Sequence, residues 1–527
     1  MARHWLVVSS ALLSMLHGCD ARDDVGSRAQ ELHKLRYCGN GRCDRWETCN
    51  ACPWDCGGRT FYADGDMDTH GDPEVAVLAC GQPAGYVATG MDCDDANASV
   101  YPGSPEACDW LDNDCNGLVD DGVGHAWYED RDADGHGNDG SQVLDCWGLV
   151  GTSPQGGDCD DADPTIYPGA AEQCDGIDRN CNGTWDAQVP TTCPSIQHAL
   201  DTAAMSGVNA GTIALEPGVY YESINFRGAR VRLVGTLGPE ATILDGGGRG
   251  PVVTFATGEG AGAILDGITI RNGNNASGPG GIMVTDASPI LRNLVVQGNT
   301  SWNTGGGIKL VRSAAVLDAV LIANNVAEDG GGLYVDSSTG VQVRHVRLIR
   351  NQARYDGAGV FALDSTLFIS NTVLAANDAS NGVGGAFSVL GGDVTVTNAT
   401  IRANRAMYGS ALRLGSMARV TVANVIFASN QGSWGGAISL AGSSPSTLAL
   451  SYCDFWENSP SDGYVPEGSG ILRVDPTFAN TWPSDPLEWD LHLGASSPLL
   501  DTGDPAILDG DGTRSDMGAY GGPGGTW

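Results

Sequence analysis

Residues 305–336 read GGGIKLVRSAAVLDAVLIANNVAEDGGGLYVD, and they contain one full unit of a repeat that runs through the second half of the chain. The Gly-rich start of the unit recurs in steps of 25 to 27 residues, at Gly281, Gly307, Gly332, Gly359, Gly385, Ser410 and Gly436. An Asn follows the same rhythm, at Asn272, Asn299, Asn324, Asn351, Asn377, Asn404 and Asn430. Short β-rich runs and turns in a repeat of about 26 residues predict a parallel β-solenoid.

Apolar residues that alternate after each Gly-rich start indicate strands with one face in the core. The two predicted inward rows are Ile308, Leu333, Phe361, Phe387, Leu412 and Ile438, and Leu310, Val335, Leu363, Val389, Leu414 and Leu440. The row between them, predicted to point outward, is Met283, Lys309, Tyr334, Ala362, Ser388, Arg413 and Ser439. Asn side chains at the same place on successive coils are expected to bond each other along the axis.

A solenoid leaves its apolar core open at both ends and therefore needs caps. Residues 192–205 (TCPSIQHALDTAAM) predict a cap helix, because Ile196, Ala199, Leu200 and Ala203 fall on one helical face. We therefore assign residues 192–475 to the β-helix with its N-terminal cap and residues 476–527 to its C-terminal end region.

The first residues are typical of an exported protein. Arg3 precedes a mainly apolar run from Trp5 to Leu16, which suits a signal peptide and is too short to cross a bilayer. The segment ends in Leu-His-Gly-Cys, which resembles a bacterial lipobox. Residues 1–19 are therefore predicted to be a lipoprotein signal peptide with Cys19 as the lipidated residue, and the polar residues 20–37 a tether.

Residues 38–57 (CGNGRCDRWETCNACPWDCG) hold five Cys and almost nothing else to bury. So short a segment keeps its shape only through cross-links or metal, and export favours disulfides over zinc bound by Cys49 and Cys52. The odd count requires one Cys to pair outside the module, and Cys193 and Cys453 are the Cys that lie outside the repeats described next. The stretch resembles a short Cys-rich module of secreted bacterial proteins.

A module occurs twice, at 61–122 and 127–187, with matching residues offset by 66. Its four Cys are Cys80, Cys93, Cys108 and Cys115 in the first copy and Cys146, Cys159, Cys174 and Cys181 in the second. Four Cys in each copy predict two disulfides there, with three possible pairings.

Oxygen-bearing side chains in each copy follow a spacing of places 1, 3, 5 and 9 in two loops. The predicted ligands are Asp64, Asp66, Asp68 and Asp72, then Asp112, Asp114, Asn116 and Asp120, and in the second copy Asp130, Asp132, Asp134 and Asn138, then Asp178, Asn180, Asn182 and Asp186. Alternating oxygens around a turn suit Ca²⁺, which takes six to eight of them. The bidentate Glu and the flanking helices of an EF-hand are missing, so these are calcium loops of another kind.

The core of each copy resembles the MopE-type metal-binding repeat of bacterial surface proteins. The residues that carry this resemblance are DCDDANASVYPGSPEACDWLDNDCNGLVDDG and GDCDDADPTIYPGAAEQCDGIDRNCNGTWD. The resemblance raises copper as a second metal, but copper prefers imidazole or thioether ligands, and His70 and His136 are the His that recur. Calcium, in a structural role, is the favoured metal.

The solenoid itself, from TIALEPGVYYESINF and RVRLVG onward, resembles the right-handed parallel β-helix of the pectin lyase-like superfamily. That resemblance implies a substrate site on the outside of one sheet, with Arg or Lys as base in lyases and clustered Asp in hydrolases. The candidates on the outward row and just beyond it are Lys309, Tyr334, Asp336 and Asp364. A second cluster is predicted in the turns, with Glu328, Asp329, Arg350, Arg354, Tyr355 and Asp356.

Composition excludes one class of partner. The chain has 28 Lys and Arg against 64 Asp and Glu, a net charge of −36, whereas a nucleic-acid binder needs a basic face. We therefore expect an all-β, exported protein of the bacterial outer membrane or cell surface, held to the membrane by its lipid alone. Its β-helix is expected to bind a polysaccharide or another surface partner. The alternatives are a lyase or hydrolase of uronate-containing glycans, or metal capture by the repeats.

Overall fold

The computed structural model describes residues 39, 41–45, 47–206, 210–441 and 445–527. The predicted signal segment, the tether, Cys19 and Cys38 lie outside these residues. The chain divides into two compact units, Met1–Gly156 and Gly157–Trp527, so the predicted second repeat contributes to both. In the described part of the chain no helix has the length and apolarity needed to cross a bilayer.

The first unit contains two antiparallel three-stranded sheets, with strand orders β2-β1-β3 and β5-β4-β6. Their strands are β1 (Arg59–Ala63), β2 (Asp72–Ala79), β3 (Tyr86–Val87), β4 (His125–Glu129), β5 (Asn138–Asp145) and β6 (Thr152–Ser153). Each strand of the second sheet lies 66 residues after its counterpart in the first. The duplication read from the sequence is therefore a duplication of structure.

The disulfides connect successive modules, and the prediction of two disulfides within each copy was wrong. One disulfide lies within each copy, Cys93–Cys115 and Cys159–Cys181. The remaining Cys pair forward or backward along the chain, as Cys49–Cys80, Cys108–Cys146 and Cys174–Cys193, while Cys43–Cys56 closes the Cys-rich module. The odd Cys of that module thus pairs with the first repeat, not with Cys193 or Cys453. Cys453 is buried and free.

The second unit is a parallel β-helix, as predicted. In chain order its elements are β7 (Trp185–Val189), α1 (Ile196–Ser206), β8 (Ala210–Leu215), β9 (Gly218–Tyr220), β10 (Ile224–Asn225), β11 (Arg232–Gly235), β12 (Thr242–Asp245), β13 (Val253–Phe255), β14 (Ile264–Asp266), β15 (Thr269–Arg271), β16 (Asn274–Asn275), β17 (Ile282–Thr285), β18 (Ile290–Gln297), β19 (Thr300–Ser301), β20 (Ile308–Val311), β21 (Val316–Ala323), β22 (Val326–Ala327), β23 (Leu333–Asp336), β24 (Thr339–Arg344), β25 (Arg347–Ile349), β26 (Gln352–Ala353), β27 (Val360–Ala375), β28 (Asp378–Val383), β29 (Phe387–Arg402), β30 (Arg405–Tyr408), β31 (Leu412–Leu414), β32 (Arg419–Ala428), β33 (Gln431–Gly432), β34 (Ile438–Leu440), β35 (Thr447–Ser451), β36 (Asp454–Trp456), β37 (Phe478–Asn480), a 3-10 helix (Pro486–Glu488) and β38 (Asp490–Leu493).

Four rows of strands run along the β-helix, and each coil from β13 to β33 contributes a strand, or part of a long strand, to every row. The first row contains β10, β13, β17, β20, β23, the starts of β27 and β29, β31 and β34, all parallel. The second row runs from β8 and β11 to β35, and the third from β9 and β12 to β36. The fourth is a separate sheet of short strands, β16-β19-β22-β26-β28-β30-β33. Long strands such as β27 and β29 continue through the bends between rows, so that successive parts of one strand belong to the first, second and third rows.

The apolar core lies inside these rows, and the predicted register is one residue off in a single coil. Ile308, Leu333 and Phe387 point inward as predicted, but Val360 occupies the inward place given to Phe361. Ala362 likewise replaces Leu363, and Phe361 replaces Ala362 on the outward row. A slip of one residue exchanges the two faces of a strand. The alternation of apolar residues predicts the wrong register here because Phe361 is buried although it lies on the outward row. Its ring stacks on that of Tyr334 with centroids 5.1 Å apart.

A continuous ladder of Asn side chains, all buried except the half-buried Asn458, runs between the third and fourth rows. Its members are Asn299, Asn325, Asn351, Asn377, Asn404, Asn430 and Asn458. In each step the side-chain Nδ2 donates to Oδ1 of the next Asn, at 3.0 Å from Asn325 to Asn351, and also to a backbone carbonyl, at 2.9 Å from Asn325 to Val296. The predicted bonding along the axis is confirmed, but two of its members were wrong. Asn272 and Asn324 each stand one place earlier, in the left-handed conformation with φ of 55°.

Helix α1 caps the first coil, and Ile196, Ala199 and Leu200 on its buried face belong to the same apolar cluster as the coils. At the other end Val465 and Ile471 pack against the core. Residues 476–527, predicted as an end region, instead run along the outside of the third row. Their apolar side chains join two clusters with that row, Leu491 and Ala519 with Ile349, Val373 and Ala375, and Leu499 and Met517 with Ile426 and Ala428.

Replacing Asn325 by Ala is expected to lower the free energy of unfolding by about 3 kcal/mol, because several buried hydrogen-bonding groups lose their partners at once. The amide of Asn299 and the carbonyl of Val296 are among them. The control is the neighbouring Asn324→Gly, at an exposed turn position whose left-handed backbone suits Gly, which should cost less than about 1 kcal/mol. Urea unfolding followed by circular dichroism measures both, and equal losses would contradict the ladder.

Candidate functional site

Carboxylates from two parts of the first repeat converge where the loop after β1 meets the segment after β3. Ligand atoms of Asp66, Asp68 and Asp92 lie within 4.8 Å of one another, and so do those of Asp64, Asp66 and Asp95. Asp92 is 3% exposed. Three of the four predicted ligands of this loop are thus brought together, whereas Asp72 begins β2, where its Oδ1 accepts a hydrogen bond from the amide of Glu74.

One oxygen of each buried carboxylate holds the backbone, and the other has no partner in the protein. Oδ1 of Asp66, Asp68 and Asp92 accepts the amide of Asp68, His70 and Asp94 respectively, at 3.2, 2.7 and 2.9 Å. Oδ2 of the same three residues is buried without a hydrogen-bond donor. Buried polar atoms normally have partners. Three converging free oxygens therefore fit a hard cation with oxygen ligands.

The electrostatics of the cluster point the same way. Burial raises the pKa of Asp66, and the charges of Asp68, Asp95 and Asp64 raise it further. Burial likewise raises the pKa of Asp92, again with a contribution from Asp68 and Asp66. Like charges held together in a partly desolvated site are unfavourable without a counter-charge. A bound divalent cation would supply it.

A second acidic group forms in the later loop of the first repeat. Ligand atoms of Glu106, Asp112 and Asp114 lie within 4.8 Å of one another, and Glu106 Oε2 is buried without a partner. Asn116 and Asp120, the other predicted ligands, make different contacts: Asn116 Nδ2 donates to Asp121, and Asp120 Oδ1 accepts the amides of Asp109 and Trp110.

The second repeat shows parts of the same arrangement. Asp130, Asp132 and Asp134 form a group within 4.8 Å, while Asn138 begins β5 and its Oδ1 accepts the amide of Gly140. In the later loop both oxygens of Asp178 accept backbone amides, and Asn180 Oδ1 accepts that of Asn182. Asn182 Nδ2 donates to Asp186 Oδ2 at 3.4 Å. Burial raises the pKa of Glu172, whose Oε2 has no hydrogen-bond partner.

Residues that the spacing rule missed supply the buried members of these groups. Asp92, Asp95 and Glu106 recur 66 residues later as Asp158, Asp161 and Glu172. They lie in the stretch between the two predicted loops, at other spacings, so only their recurrence in both copies could have found them. The imidazole of His70 stacks on Tyr101 with centroids 4.9 Å apart, and its Nδ1 lies 3.8 Å from Asp68 Oδ1.

A second candidate site lies on the β-helix. We call it the first-row surface: the outward side chains Lys309, Tyr334, Phe361, Ser388, Arg413 and Ser439, with Asp329 and Asp356 beside them. Lys309 Nζ donates to Thr304 Oγ1 at 2.7 Å and lies 5.1 Å from the centre of the Tyr334 ring. Burial lowers the pKa of Lys309 and raises that of Tyr334 to about 12.

The structure joins the two clusters that the sequence suggested separately. Asp329 and Asp356, from the turns, lie beside the outward row: the charge of Asp329 helps to raise the pKa of Tyr334, Asp356 N donates to Asp329 Oδ1 at 2.9 Å, and Arg413 Nη1 lies 3.8 Å from Asp356 Oδ2. Burial raises the pKa of both Asp329 and Asp356.

Among the other members of the predicted clusters, Asp336 stays near the first-row surface, where its charge acts to raise the pKa of both Lys309 and Tyr334, and the rest have different surroundings. Asp336 accepts the hydroxyl of Ser337, and Asp364 is exposed in a left-handed turn beyond the row. Arg350 pairs with Asp485 at 2.9 Å, and Arg354 lies 3.6 Å from Glu328.

Buried hydroxyl groups on and next to the first-row surface have no hydrogen-bond partner in the protein. They are Oγ of Ser388, Ser410 and Ser439. Ser388 is fully buried in the outward row, where alternation would place a solvated side chain. The surface therefore places cations and acids side by side, with unpartnered hydroxyls enclosed beneath or beside them.

Residues 92–121 and 158–187 match the family model Cu-binding MopE, described as "Putative metal-binding motif". No curated protein sequence matches significantly.

Two solved structures are similar to the β-helix. The crystal structure of pectate lyase Pel9A has 15% identity and a TM-score of 0.37, over 64% of this chain and 96% of that one. The A-module of the mannuronan C-5 epimerase AlgE6 from Azotobacter vinelandii has 16% identity and a TM-score of 0.18, over 53% of this chain and 94% of that one. Similarity at this level says nothing about activity.

Calcium is expected to stabilise the protein by about 2.7 kcal/mol at a concentration roughly a hundred times its Kd, because it binds the folded loops alone. In Asp92→Ala the part of this gain that comes from the group with Asp66 and Asp68 should be lost, while in EDTA the variant should be at least as stable as the parent, since one repelling carboxylate is gone. Calorimetric Tm values with Ca²⁺ and with EDTA measure both effects. Glu74→Gln, which removes an exposed charge nearby, is the control, and an undiminished calcium shift in Asp92→Ala would contradict the site.

Proposed function

We propose that this chain is an exported, lipid-anchored surface protein whose acidic repeats bind Ca²⁺ as structural ions and whose β-helix binds a polysaccharide. Export and anchoring are supported by the lipobox-like sequence before Cys19 and by the disulfides of the first 200 residues, which form in oxidising compartments. The choice of Ca²⁺ rests on the all-oxygen donors of the acidic groups.

The observation that carries polysaccharide binding is the group of charged and aromatic side chains at the first-row surface. Lys309 Nζ lies 5.1 Å from the centre of the Tyr334 ring and Arg413 Nη1 lies 3.8 Å from Asp356 Oδ2, so donors and acceptors for sugar hydroxyls stand on neighbouring coils. Coils stack about 4.8 Å apart, so these side chains follow one another at regular short intervals along the surface. A polymer with hydroxyls on every unit can contact such a surface at several coils at once.

A lyase or hydrolase acting on uronate-containing glycans is a second candidate, and Lys309 favours it. Its lowered pKa increases the share of neutral amine, which is the form that takes a proton. In a lyase, Lys309 Nζ would remove the proton next to the uronate carboxyl group, and the glycosidic C–O bond would break to leave an unsaturated end. In a hydrolase, Asp329 and Asp356 would serve as acid and base.

One experiment separates these functions. The chain without residues 1–19, in Ca²⁺, is mixed with uronate-containing and neutral polysaccharides, and retention, new unsaturated ends and new reducing ends are measured. Retention without cleavage, weakened in Arg413→Ala and unchanged in Arg419→Ala on the second row, is expected. Cleavage that disappears in Lys309→Ala would establish the enzyme instead. If no polysaccharide is retained and none is cleaved, both proposed functions are refuted.

The lipid anchor has its own test. The full chain expressed in a bacterium with labelled palmitate should carry the label and fractionate with membranes. Cys19→Ala should lose both properties, because no other membrane attachment is proposed. Membrane fractionation that survives Cys19→Ala would refute the anchor without affecting the proposals about the β-helix.

A further inference from the structure

Two tryptophans form an exposed aromatic pair on the first unit, beside the Cys108–Cys146 disulfide. The rings of Trp110 and Trp147 are parallel within 3°, with centroids 5.5 Å apart. They remain 69% and 53% exposed. Large aromatic side chains are normally buried, so a pair left this open indicates an interaction surface.

The backbone at Trp110 shows that the fold of the module does not require this side chain. Trp110 has a φ of 70°, in the left-handed region that bulky residues avoid. The matching residue of the second copy, 66 positions later, is Gly176, with a φ of 81°. The second copy thus forms the same turn with the residue that suits it. The first copy holds a strained Trp there, and strain of this kind collects at functional positions.

The surroundings of the pair suit a sugar. Val119, Leu144 and Leu149 are each more than half exposed and extend the apolar surface, and all line the same depression of about 480 Å³. Asp120 and Asp145 lie in that depression as well. Aromatic faces are electron-rich and attract the C–H groups on the flat side of a pyranose ring, while carboxylate oxygens accept its hydroxyls.

The negative charge of the module favours neutral sugars over anionic ones. Residues 61–150 contain twenty Asp and Glu and a single Arg, so a uronate or sulfated chain would be repelled. We propose that Trp110 and Trp147 form a binding platform for a neutral polysaccharide. This platform is separate from the first-row surface and does not depend on the function proposed for it.

The test uses the chain without residues 1–19, in Ca²⁺, with cellohexaose, xylohexaose and chitohexaose as neutral probes and polygalacturonate as the anionic one. Calorimetric titration is expected to show binding of at least one neutral probe. Trp110→Gly should weaken it by about tenfold or more, because truncating an aromatic anchor removes most of its contact. The same variant should keep or raise the Tm, since Gly suits the left-handed turn.

Matched variants separate the outcomes. Trp147→Ala should weaken neutral binding as well, whereas Trp54→Ala, another exposed Trp of this unit, and Lys309→Ala on the first-row surface should not. Absence of binding to every neutral probe would overturn the proposal, as would a large fall in Tm in Trp110→Gly, which would make the pair a structural element. A concentration-dependent dimer that Trp110→Gly abolishes would also overturn it, because the surface would then join two copies of the chain.

Discussion

Parallel hydrogen bonding between successive coils is the constraint on which the rest of the second unit depends. Because each coil pairs with the next at nearly equal residue positions, an apolar side chain at one place needs an apolar one 25 to 27 residues later. The turns between the third and fourth rows must also have the same backbone conformation in successive coils, and the Asn ladder stabilises that conformation. Each Asn satisfies a carbonyl of the preceding coil and two groups of its neighbour inside a region closed to water.

The first unit solves the opposite problem, since it has little apolar core to share. Its buried apolar residues are few, such as Phe61 and Val100, and disulfides take the place of packing. Cys49–Cys80 and Cys108–Cys146 each connect one module to the next. The disulfides therefore hold neighbouring modules to each other as well as stabilising each module. A cation held by the buried carboxylates, between the loop after β1 and Asp92, would add a second kind of cross-link.

The first-row surface and the aromatic pair both depart from what a repeat would produce on its own. In the outward row, alternation predicts solvated side chains, yet Tyr334, Phe361 and Ser388 are buried. In the acidic repeats, duplication predicts the same residue in both copies, yet Trp110 stands where the second copy has Gly176. Departures from a strict repeat carry information, because the repeat itself shows what folding requires.

The sequence alone determined the coil length, the duplicated module, the cap helix and the acidic character of the loops, because each leaves a periodic or compositional pattern. It failed where neighbouring residues compete for one place: Asn324 against Asn325, and Phe361 against Val360. In the first case the hydrogen bonds of the ladder select Asn325. In the second, Phe361 is buried on the outward row, where its ring stacks on Tyr334. Tertiary structure alone decided the disulfide partners, since the positions of the Cys along the chain allow several pairings. It alone brought Asp92 to Asp66 and Asp329 to the first-row surface, because contacts between distant segments leave no local pattern in the chain.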